Sequence, residues 1–539
     1  MSSKYIMILG AGLMQRPSLE AAKQLGYKTL VVDANPKALC ASFADRFEPV
    51  DLKDKESLAS LALSLGEDLA GVFTAGTDFS ASVAYVAQKC KLHSHSYEAC
   101  INASNKAMMR ECFKKNNIPS PDFKIIERAN LSEFLEKNLL DSVVWPKVVK
   151  PVDNMGGRGC RLIRSKEEFL ASAEEAIRNS RSSKAIFEDY MEGKEFSIDA
   201  LLYKDSLTIT GFADRHIFFE PYFIEMGHTL PSSCDEKIKL ELFSVFANAV
   251  KSLGLTEGAC KADIKYTKNG PMIGEIAARL SGGYMSGWTY PYSTGLEITK
   301  EALLIAVGKE PEGLLLRRRP LPLKNMPFSM YEISGDRVSA ERAWISIPGV
   351  VSEVYGREKA KAYPFVRNLF SRVENEMPVD FPRNNVQKCG NVITFATDSS
   401  LAQEAAETSA SQIVLRLKPH EPKTEDYLLG KETLDEKGFP PSAFVFSETQ
   451  RLVVNSFIRE VPRIKKNESV LSGLKEKELD FAKSVFDFNH RSLYASLLLF
   501  DEICPKHPEL NSTLFWNSLL RGGIQGALYI SDCEAKNEK

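Results

Sequence analysis

A charge excess of one sign, paired cysteines and long apolar runs are all missing from this sequence of 539 residues. Its 69 basic and 71 acidic residues leave a net charge of −2, so neither a basic surface nor a nucleic-acid partner is expected. No apolar run approaches the roughly 18 residues that a membrane span needs, so no membrane partner is expected either. The N-terminus, MSSKYIMILGAG, lacks a signal-peptide cleavage pattern, which favours a cytoplasmic location.

The ten cysteines are scattered along the chain, and none belongs to a Cys-x-x-Cys pair. We therefore expect reduced thiols rather than a disulfide framework or a zinc site. His93 and His95 stand close together but have no cysteine nearby, so we interpret their segment as a loop. Several domains are expected, because one hydrophobic core rarely extends beyond about 250–300 residues.

Strand and helix patterns alternate through the first hundred or so residues. The strand runs YIMILG, YKTLVVDAN and DLAGVFTAG each precede a helical pattern, which predicts a parallel sheet with right-handed crossovers. Gly10, Gly12 and Asp33 resemble part of a dinucleotide-binding fingerprint, but Gln15 occupies the third glycine position. We interpret the two glycines as a tight turn near a substrate, and a nicotinamide oxidoreductase stays as an alternative.

Three further regions follow by pattern. Residues 102–312 mix strands and helices, residues 313–430 are mostly β, and residues 431–539 turn helical and charged. Together with the first region, this predicts an α/β and α+β multidomain protein.

An amphipathic helix is predicted for SNKAMMRECFKKNN, residues 104–117. Ser104 or Asn102 is the expected N-cap, because a short polar side chain can accept from the free N–H groups of the first turn. Lys106 lies at the start of this helix and is a candidate ligand for an anion.

A glycine-rich loop occupies residues 148–163, VVKPVDNMGGRGCRLI. It differs from the P-loop and from the dinucleotide loop, because both of those open a helix, whereas CRLI indicates a second strand. We predict a strand–glycines–strand hairpin with Lys150 at the end of the incoming strand. The tip consists of Gly156, Gly157, Arg158 and Gly159. Its exposed N–H groups can fold over an anion; for the glycines alone, an ordinary surface hairpin is the alternative.

Residues 259–279, ACKADIKYTKNGPMIGEIAAR, predict a β-hairpin around the loop KNG, whose glycine adopts a left-handed conformation. A loop of this length places Thr267 opposite Pro271. Counting back along both strands then puts Asp263 directly opposite Glu275, on one face of the hairpin.

Two carboxylates at directly opposed positions, about 5 Å apart, repel each other. At an effective dielectric constant near 20, like charges about 4 Å apart cost about 4 kcal/mol. Either Lys261 and Lys265 offset this repulsion, or a divalent cation lies between the carboxylates. Mg²⁺ fits such a pair because it takes its other ligands from water and from substrate phosphates; Mn²⁺ is the alternative ion. Arg279 follows on the same face and points toward whatever the metal holds.

These motifs together resemble the ATP-grasp superfamily over roughly residues 1–425. The segment NKAMMRECFKKNNIPSPDF is similar to its K-x₃-R helix, whose lysine, here Lys106, binds phosphates. VVKPVDNMGGRG resembles its lysine strand and phosphate-covering loop, and EIAAR resembles its metal-binding strand. The resemblance implies ATP and Mg²⁺ as cofactors.

EDYMEGKEFSID resembles the adenine hinge of the superfamily. The resemblance implies that Glu188 and the backbone of Tyr190 and Met191 contact adenine. It also implies that Glu195, seven positions after Glu188, binds the ribose hydroxyls.

Within the superfamily, E-x-A-A-R and FIEMGHTLPS are similar to the L-amino acid ligases, dipeptide synthetases of the carboxylate–amine ligase group. The resemblance implies that Glu225 and His228 line the substrate site near the acyl phosphate. Many members carry asparagine where this chain has Ala277. Because Gly282 and Gly283 follow the arginine, we hypothesise a roomier amino-acid pocket.

The resemblance also implies a division of the chain. Its parts are a Rossmann-like domain at 1–101, an ATP-grasp domain at 102–312 with a nucleotide lid at about 122–190, a β-rich C-terminal domain at 313–430 and an extra helical tail at 431–539.

The implied activity is ATP-dependent ligation of a carboxylate, such as an amino acid, to an amine through an acyl phosphate. Lys106, Lys150, the glycine hairpin and magnesium hold the triphosphate, while Arg279 stabilises the acyl phosphate and the tetrahedral intermediate. Alternatives are a carboxylase that activates bicarbonate and a nucleotide-binding regulatory protein without turnover. Expected partners are the small-molecule substrates, a second copy in a homodimer, and a partner for the tail.

Overall fold

The structure is a computed structural model that describes residues 4–136, 139–430, 438–452, 454 and 463–537. It divides into two units. The first contains residues 1–216, 228–340 and 395–399, and the second contains residues 217–227, 341–394 and 400–539. Parts of the predicted helical tail, residues 431–437, 453, 455–462 and 538–539, lie outside the described residues.

The first unit begins with a parallel sheet, as predicted, and this sheet has four strands. In spatial order its strands are Arg46–Glu48, Lys28–Val32, Tyr5–Leu9 and Leu69–Phe73. The accompanying helices are Arg16–Gln24, Lys55–Leu65 and Ser80–Cys90. The strand Arg46–Glu48 was not predicted, because it is three residues long and only half-buried, so it carries no apolar run.

Two helices, Tyr97–Ser104 and Lys106–Lys115, replace the single helix predicted near residue 104. The N-cap of the second is Asn105, whose side chain accepts from the backbone N–H of the two residues that follow Lys106. The predicted caps, Ser104 and Asn102, are wrong because both belong to the preceding helix. The break between the two helices, at the extended residue Asn105, was not visible in the apolar pattern.

An antiparallel four-stranded sheet comes next in the first unit. Its strands in spatial order are Phe123–Glu127, Lys184–Asp189, Lys147–Pro151 and Arg161–Ile163. The helices Leu131–Glu136 and Phe169–Asn179 accompany it. The apolar face of the second helix is buried in the core of this sheet.

A larger sheet completes the first unit. Its strands in spatial order are Gly270–Ala277, Gly258–Thr267, Lys194–Tyr203 and Ser206–Phe218, with Ser329–Glu332 and Arg319–Pro320 beyond. The helix Glu236–Ser252 buries an apolar stripe in the core with this sheet. A π-helical turn, Met285–Thr289, precedes the helices Tyr290–Thr294, Ile298–Ala306 and Glu312–Arg317.

The second unit combines short strands with helices. Strand Gly349–Tyr355 pairs with Pro378–Val379 and Val414–Leu417, while Val366–Ser371 pairs with Gly390–Ala396. Strands Ile224–Leu230 and Val338–Trp344 contribute residues to both units. The remaining short strands are Arg463–Ile464 and Leu510–Asn511. The helices are Arg357–Lys361, Ser399–Ser411, Pro422–Leu429, Glu476–Ser484, Leu493–Ile503, Ser512–Gly522 and Ile524–Asn537.

The described part of the tail packs into the second unit. Tyr529 and Ile530 of the last helix share a core with Leu417. Arg416 donates to both carboxylate oxygens of Asp532, at 2.8 and 2.5 Å. The tail and the β-rich region therefore share apolar and charged contacts within one unit.

All ten cysteines are free thiols, as expected. In the described part of the chain, no helix combines the length and the apolar character that crossing a bilayer requires.

Candidate active site

The strands Gly258–Thr267 and Gly270–Ala277 form the predicted antiparallel hairpin, and Asp263 lies directly opposite Glu275. The two side chains are 20% and 27% exposed, so both carboxylates reach the surface of the hairpin. This confirms the pairing on which the expected metal site depends.

The predicted route to this register was wrong. Thr267 pairs with Gly270 instead of Pro271, so the turn contains two residues and not three. A bulge next to Asp263 compensates, because Gly274 is an extra residue on the return strand. Gly270 has a φ of +92°, in the left-handed region that the turn was expected to need.

Cations neutralise both carboxylates. Asp263 lies 2.8 Å from Lys261 Nζ and 3.0 Å from Arg215 Nη1. Glu275 lies 3.3 Å from Lys106 Nζ. The expected lysine compensation is therefore present for Lys261, and a partly exposed pair of facing carboxylates is also an oxygen donor set that suits Mg²⁺.

The Glu275–Lys106 pair is charged. Burial raises the pKa of Glu275, but the attractions of Lys106, Lys150 and Lys261 together outweigh it, so the net pKa is below the ordinary 4.5. Burial likewise lowers the pKa of Lys106, and the carboxylates of Glu275 and Asp78 outweigh this and raise the pKa above 10.5. A buried, charged lysine beside a carboxylate is suited to binding a further anion.

The glycine loop is a hairpin between the strands Lys147–Pro151 and Arg161–Ile163, as predicted. Three of its residues have positive φ values: Gly156 at +70°, Gly157 at +77° and Gly159 at +67°. Arg158 Nη1 donates to the carbonyl oxygen of Met155 within the loop, at 3.3 Å.

The base of this loop is bound to Lys106, whose Nζ donates to the carbonyl oxygen of Asn154 at 2.9 Å. Asn154 Nδ2 in turn donates to the carbonyl oxygen of Asn179 at 2.7 Å. A Cβ atom at Gly159 would lie 2.9 Å from Asn179 Cβ, so this position has no room for a side chain. Lys106 therefore contacts both the glycine loop and Glu275.

Lys150 forms an ion pair with Glu188, the first residue of the predicted adenine hinge. Glu188 also pairs with Arg110 at 3.2 Å, and both side chains are almost fully buried. Burial raises the pKa of Glu188, but Arg110 and Lys150 outweigh it and lower the pKa below 4.5. Glu188 is thus a buried anion between two cations, a role that the sequence did not indicate.

The rest of the hinge is close to the carboxylate hairpin. Lys265 Nζ lies 4.9 Å from the centre of the Tyr190 ring and 3.4 Å from Glu195. A Cβ atom at Gly274 would lie 3.5 Å from the terminal methyl of Met191, so the hinge adjoins the bulge. Arg215 Nη1 lies 2.5 Å from Glu195 and 3.0 Å from Asp263, so it connects the hinge to one of the two facing carboxylates.

Arg279 lies just beyond the hairpin and is buried, with 8% of its side chain exposed. Its Nη1 donates to the carbonyl oxygen of Leu280 at 3.1 Å, and its Nε is 4.0 Å from Asp78. Leu280 forms a parallel bridge with Ala75, which follows the last strand of the first sheet. The segment after Arg279 therefore adjoins the loops of the parallel sheet.

The other two predicted substrate-side residues lie on the strand Ile224–Leu230. Glu225 belongs to the second unit, where its N–H donates to Asn385 Oδ1 at 2.8 Å and its carbonyl oxygen accepts from Lys388 Nζ at 2.6 Å. His228 belongs to the first unit and is buried. Because side chains alternate along a strand, residues three apart point to opposite faces, so a shared role for them stays a prediction.

Three residues of this site were not singled out from the sequence: Arg110, Arg215 and Asp78. Arg110 is the arginine of the K-x₃-R helix, so its signal was present in a motif already identified. Asp78 lies in the segment FTAGTDFS. Arg215 lies within the strand Ser206–Phe218 and belongs to no motif.

Comparisons with known proteins give matches of family and of fold. Residues 143–287 match the ATP-grasp domain family, and residues 343–418 match the L-amino acid ligase C-terminal domain 2. An uncharacterized protein of Sinorhizobium fredii is 21% identical over 428 residues, which are 78% of this chain and 84% of that protein. Human carnosine synthase 1 is 22% identical over 335 residues, which are 58% of this chain and 40% of that enzyme.

The crystal structure of the L-amino acid ligase from Bacillus licheniformis has the same fold, with a TM-score of 0.65 at 19% identity. The match covers 77% of this chain and 99% of that one. The predicted ATP-grasp fold is therefore confirmed. The chain spans less than half the length of carnosine synthase 1.

Proposed function

From the premise that this chain contains an ATP-grasp domain and the C-terminal domain of L-amino acid ligases, we propose that it is an ATP-dependent carboxylate–amine ligase. The reaction forms an amide bond through an acyl phosphate and releases ADP and phosphate. Its substrates are an amino acid or a similar small carboxylate and an amine.

The observation that carries this proposal is the position of Lys106. It lies between the facing carboxylates, through Glu275, and the base of the glycine loop, through the Asn154 carbonyl. The phosphates of a nucleoside triphosphate contact both the metal ion and the loop that binds anions. A lysine that contacts the candidate metal site and the glycine loop can therefore bind these phosphates.

The residues of this chain divide the work of phosphoryl transfer between them. Lys106, Lys150 and the N–H groups of the glycine loop hold the triphosphate, and the loop excludes water from the acyl phosphate. Glu188 holds Lys150 in place through a buried ion pair. Asp263 and Glu275 would hold Mg²⁺, which supplies charge neutralisation for the transferring phosphate.

Nucleotide specificity is assigned to the hinge. In this proposal the backbone of Tyr190 and Met191 contacts adenine, with Glu188 beside it, and Glu195 binds the ribose hydroxyls. Arg279 stabilises the acyl phosphate and the charge that develops when the amine attacks. Glu225 and His228 line the substrate side.

An ADP-release assay over a matrix of amino acids, other carboxylates and amines tests the proposal, with mass spectrometry to identify the bond. The expected result is ADP release that requires both an acid and an amine. ADP release with bicarbonate alone would make the chain a carboxylase. ATP binding without ADP release across the matrix would make it a regulatory nucleotide-binding protein.

The division at 1–101, 102–312, 313–430 and 431–539, the homodimer and the cytoplasmic location belong to the same proposal. So does a partner for the helical tail. Gel filtration with light scattering measures the oligomeric state directly.

A further inference from the structure

Asp78 is a buried carboxylate that the mechanism above does not use. It follows the strand Leu69–Phe73 and precedes the helix Ser80–Cys90, in the turn GTDF. Its side chain is 6% exposed. The neighbouring Phe79 ring is covered by the guanidinium of Arg181 at 5.0 Å, which fixes the turn.

Two cations of the proposed active site interact electrostatically with this carboxylate. Arg279 Nε is 4.0 Å from Asp78 Oδ1, and Asp78 raises the pKa of Lys106 in addition to Glu275. Asp78 therefore lies beside the predicted acyl-phosphate arginine and within electrostatic reach of the proposed phosphate-binding lysine. An acid is unexpected here, because it repels both a substrate carboxylate and a phosphate.

The described residues give the Asp78 carboxylate no hydrogen bond, and the contact of 4.0 Å with Arg279 is too long to be one. Arg279 Nε also has no acceptor among the described residues. A buried carboxylate without hydrogen bonds is costly, and native proteins rarely leave one unsatisfied. A positively charged donor from a ligand would satisfy it.

We propose that Asp78 accepts the ammonium group of the substrate whose carboxylate is phosphorylated. This inference rests on the proposed ligase function and adds a specificity-determining residue to it. Lys106 and Arg279 attract the carboxylate end of that substrate, while Asp78 attracts a positive group one or two carbons away. The activated substrate is therefore an amino acid with a free ammonium group, and simple carboxylic acids are poor substrates.

A merely structural role for Asp78 would be to orient Arg279. Such a role affects every acid equally, because Arg279 acts on the acyl phosphate whatever the side group. A contact with ammonium affects only the acids that carry one. The two roles therefore differ in substrate dependence and not in overall activity.

The test traps the acyl phosphate with hydroxylamine and measures hydroxamate formation. A panel of amino acids, including β-alanine, is compared with the corresponding acids that lack the amino group. For wild type, kcat/KM is expected to favour the amino acids by about 100-fold or more, because a buried carboxylate left unpaired is costly. Asp78→Asn should reduce kcat/KM for the best amino acid by a similar factor and change its des-amino analogue less than threefold.

Two results would overturn the inference and leave the ligase proposal standing: a wild type that activates both kinds of acid equally, or an Asp78→Asn variant that loses both equally. A wild type that forms hydroxamate with no acid would remove the ligase proposal itself. Asp78→Glu, which keeps the charge, serves as the second variant. It should keep the preference for amino acids, and losing that preference would also overturn the inference. A thermal shift by ATP checks that each variant is folded.

Discussion

Arg110 Nη2 donates a hydrogen bond of 2.7 Å to the carbonyl oxygen of Gly274, the extra residue in the bulge of the carboxylate hairpin. Through Nε, the same guanidinium donates to Glu188 at 3.2 Å. One buried side chain thus connects the bulge that aligns Asp263 with Glu275 to the anion that holds Lys150. The metal-binding half and the phosphate-binding half of the proposed site share this contact.

Arg110→Ala is therefore expected to destabilise the protein strongly, by about 3 kcal/mol or more, because it leaves the buried Glu188 with one cation fewer. The melting temperature and the KM for ATP should both change, since Glu188, the partner of Lys150, is no longer held by Arg110. The matched control is Arg16→Ala, at an exposed pair with Glu20, where about 0.5 kcal/mol or less is expected. Equal effects from both substitutions would contradict the linking role of Arg110.

Glu275→Gln should abolish the magnesium-dependent turnover of the nucleotide, because the amide keeps the shape of the side chain but removes its charge. The measurement is ADP release as a function of Mg²⁺ concentration. Glu257→Gln, which removes an exposed contact with His93, is the control and should behave as wild type. An unchanged magnesium response in Glu275→Gln would show that the carboxylate hairpin is structural.

Arg279→Ala should reduce amide formation by about 100-fold or more, as expected for a charge that acts on the reacting groups. ATP affinity should change little, because in this proposal the triphosphate is held by the lysines and the glycine loop. Product formation and ATP binding by calorimetry separate the two effects. Arg178→Ala, at an exposed helical pair with Glu174, provides the comparison; normal turnover in Arg279→Ala would remove it from the mechanism.

Gly159→Ala should raise the KM for ATP several-fold. The position combines a φ of +67° with a Cβ contact of 2.9 Å to Asn179, so a methyl group strains the loop and displaces its neighbour. The left-handed conformation alone costs about 1–2 kcal/mol. Gly26→Ala isolates that cost, because Gly26 also has a positive φ, of +82°, but nothing within 4 Å of its Cβ position. If both variants keep the wild-type KM, the loop does not bind the phosphates.

The surroundings of His95 predict that the folded protein loses stability in acid. Its Nδ1 accepts from the N–H groups of Thr256 and Glu257 at 3.2 Å, and its Nε2 donates to the carbonyl oxygen of Ala259 at 3.0 Å. Burial lowers the pKa of this neutral imidazole to about 4. The unfolded chain, with a histidine pKa of about 6.5, takes up the proton first as the pH falls.

The stability contributed by neutral His95 is therefore complete above about pH 6.5 and is lost toward pH 4, by up to about 3 kcal/mol. The melting temperature of His95→Gln should be lower than that of wild type at pH 7, and the difference should shrink toward pH 4. His93→Gln is the control, because His93 is exposed and should leave the profile unchanged. A constant difference between wild type and His95→Gln across this range would exclude the linkage.

The carboxylate hairpin was predicted only in part from the sequence. The facing of Asp263 and Glu275 was predicted correctly, but by way of a three-residue loop and a regular ladder. The structure has a shorter turn and a bulge at Gly274, and these two departures cancel. Because glycine tolerates both a turn and a bulge, the sequence could not decide which glycine made which irregularity.

Local pattern was sufficient for features whose physical cause is local. Short apolar runs predicted the strands of the parallel sheet and of the glycine hairpin, because a buried strand consists of consecutive apolar residues. The position of Lys106 at the start of its helix was also visible, although the cap at Asn105 was not.

What the sequence alone determined was the order of elements, the turn glycines and the identity of the carboxylates and lysines that bind charge. Only the tertiary structure decided their partners: Lys106 with Glu275, Arg110 with Glu188, and Asp78 beside Arg279. These pairs join segments far apart in the chain. They form because the packing of distant elements brings charges together and excludes water from them. A short stretch of sequence does not show which distant charge will be the partner of a given residue.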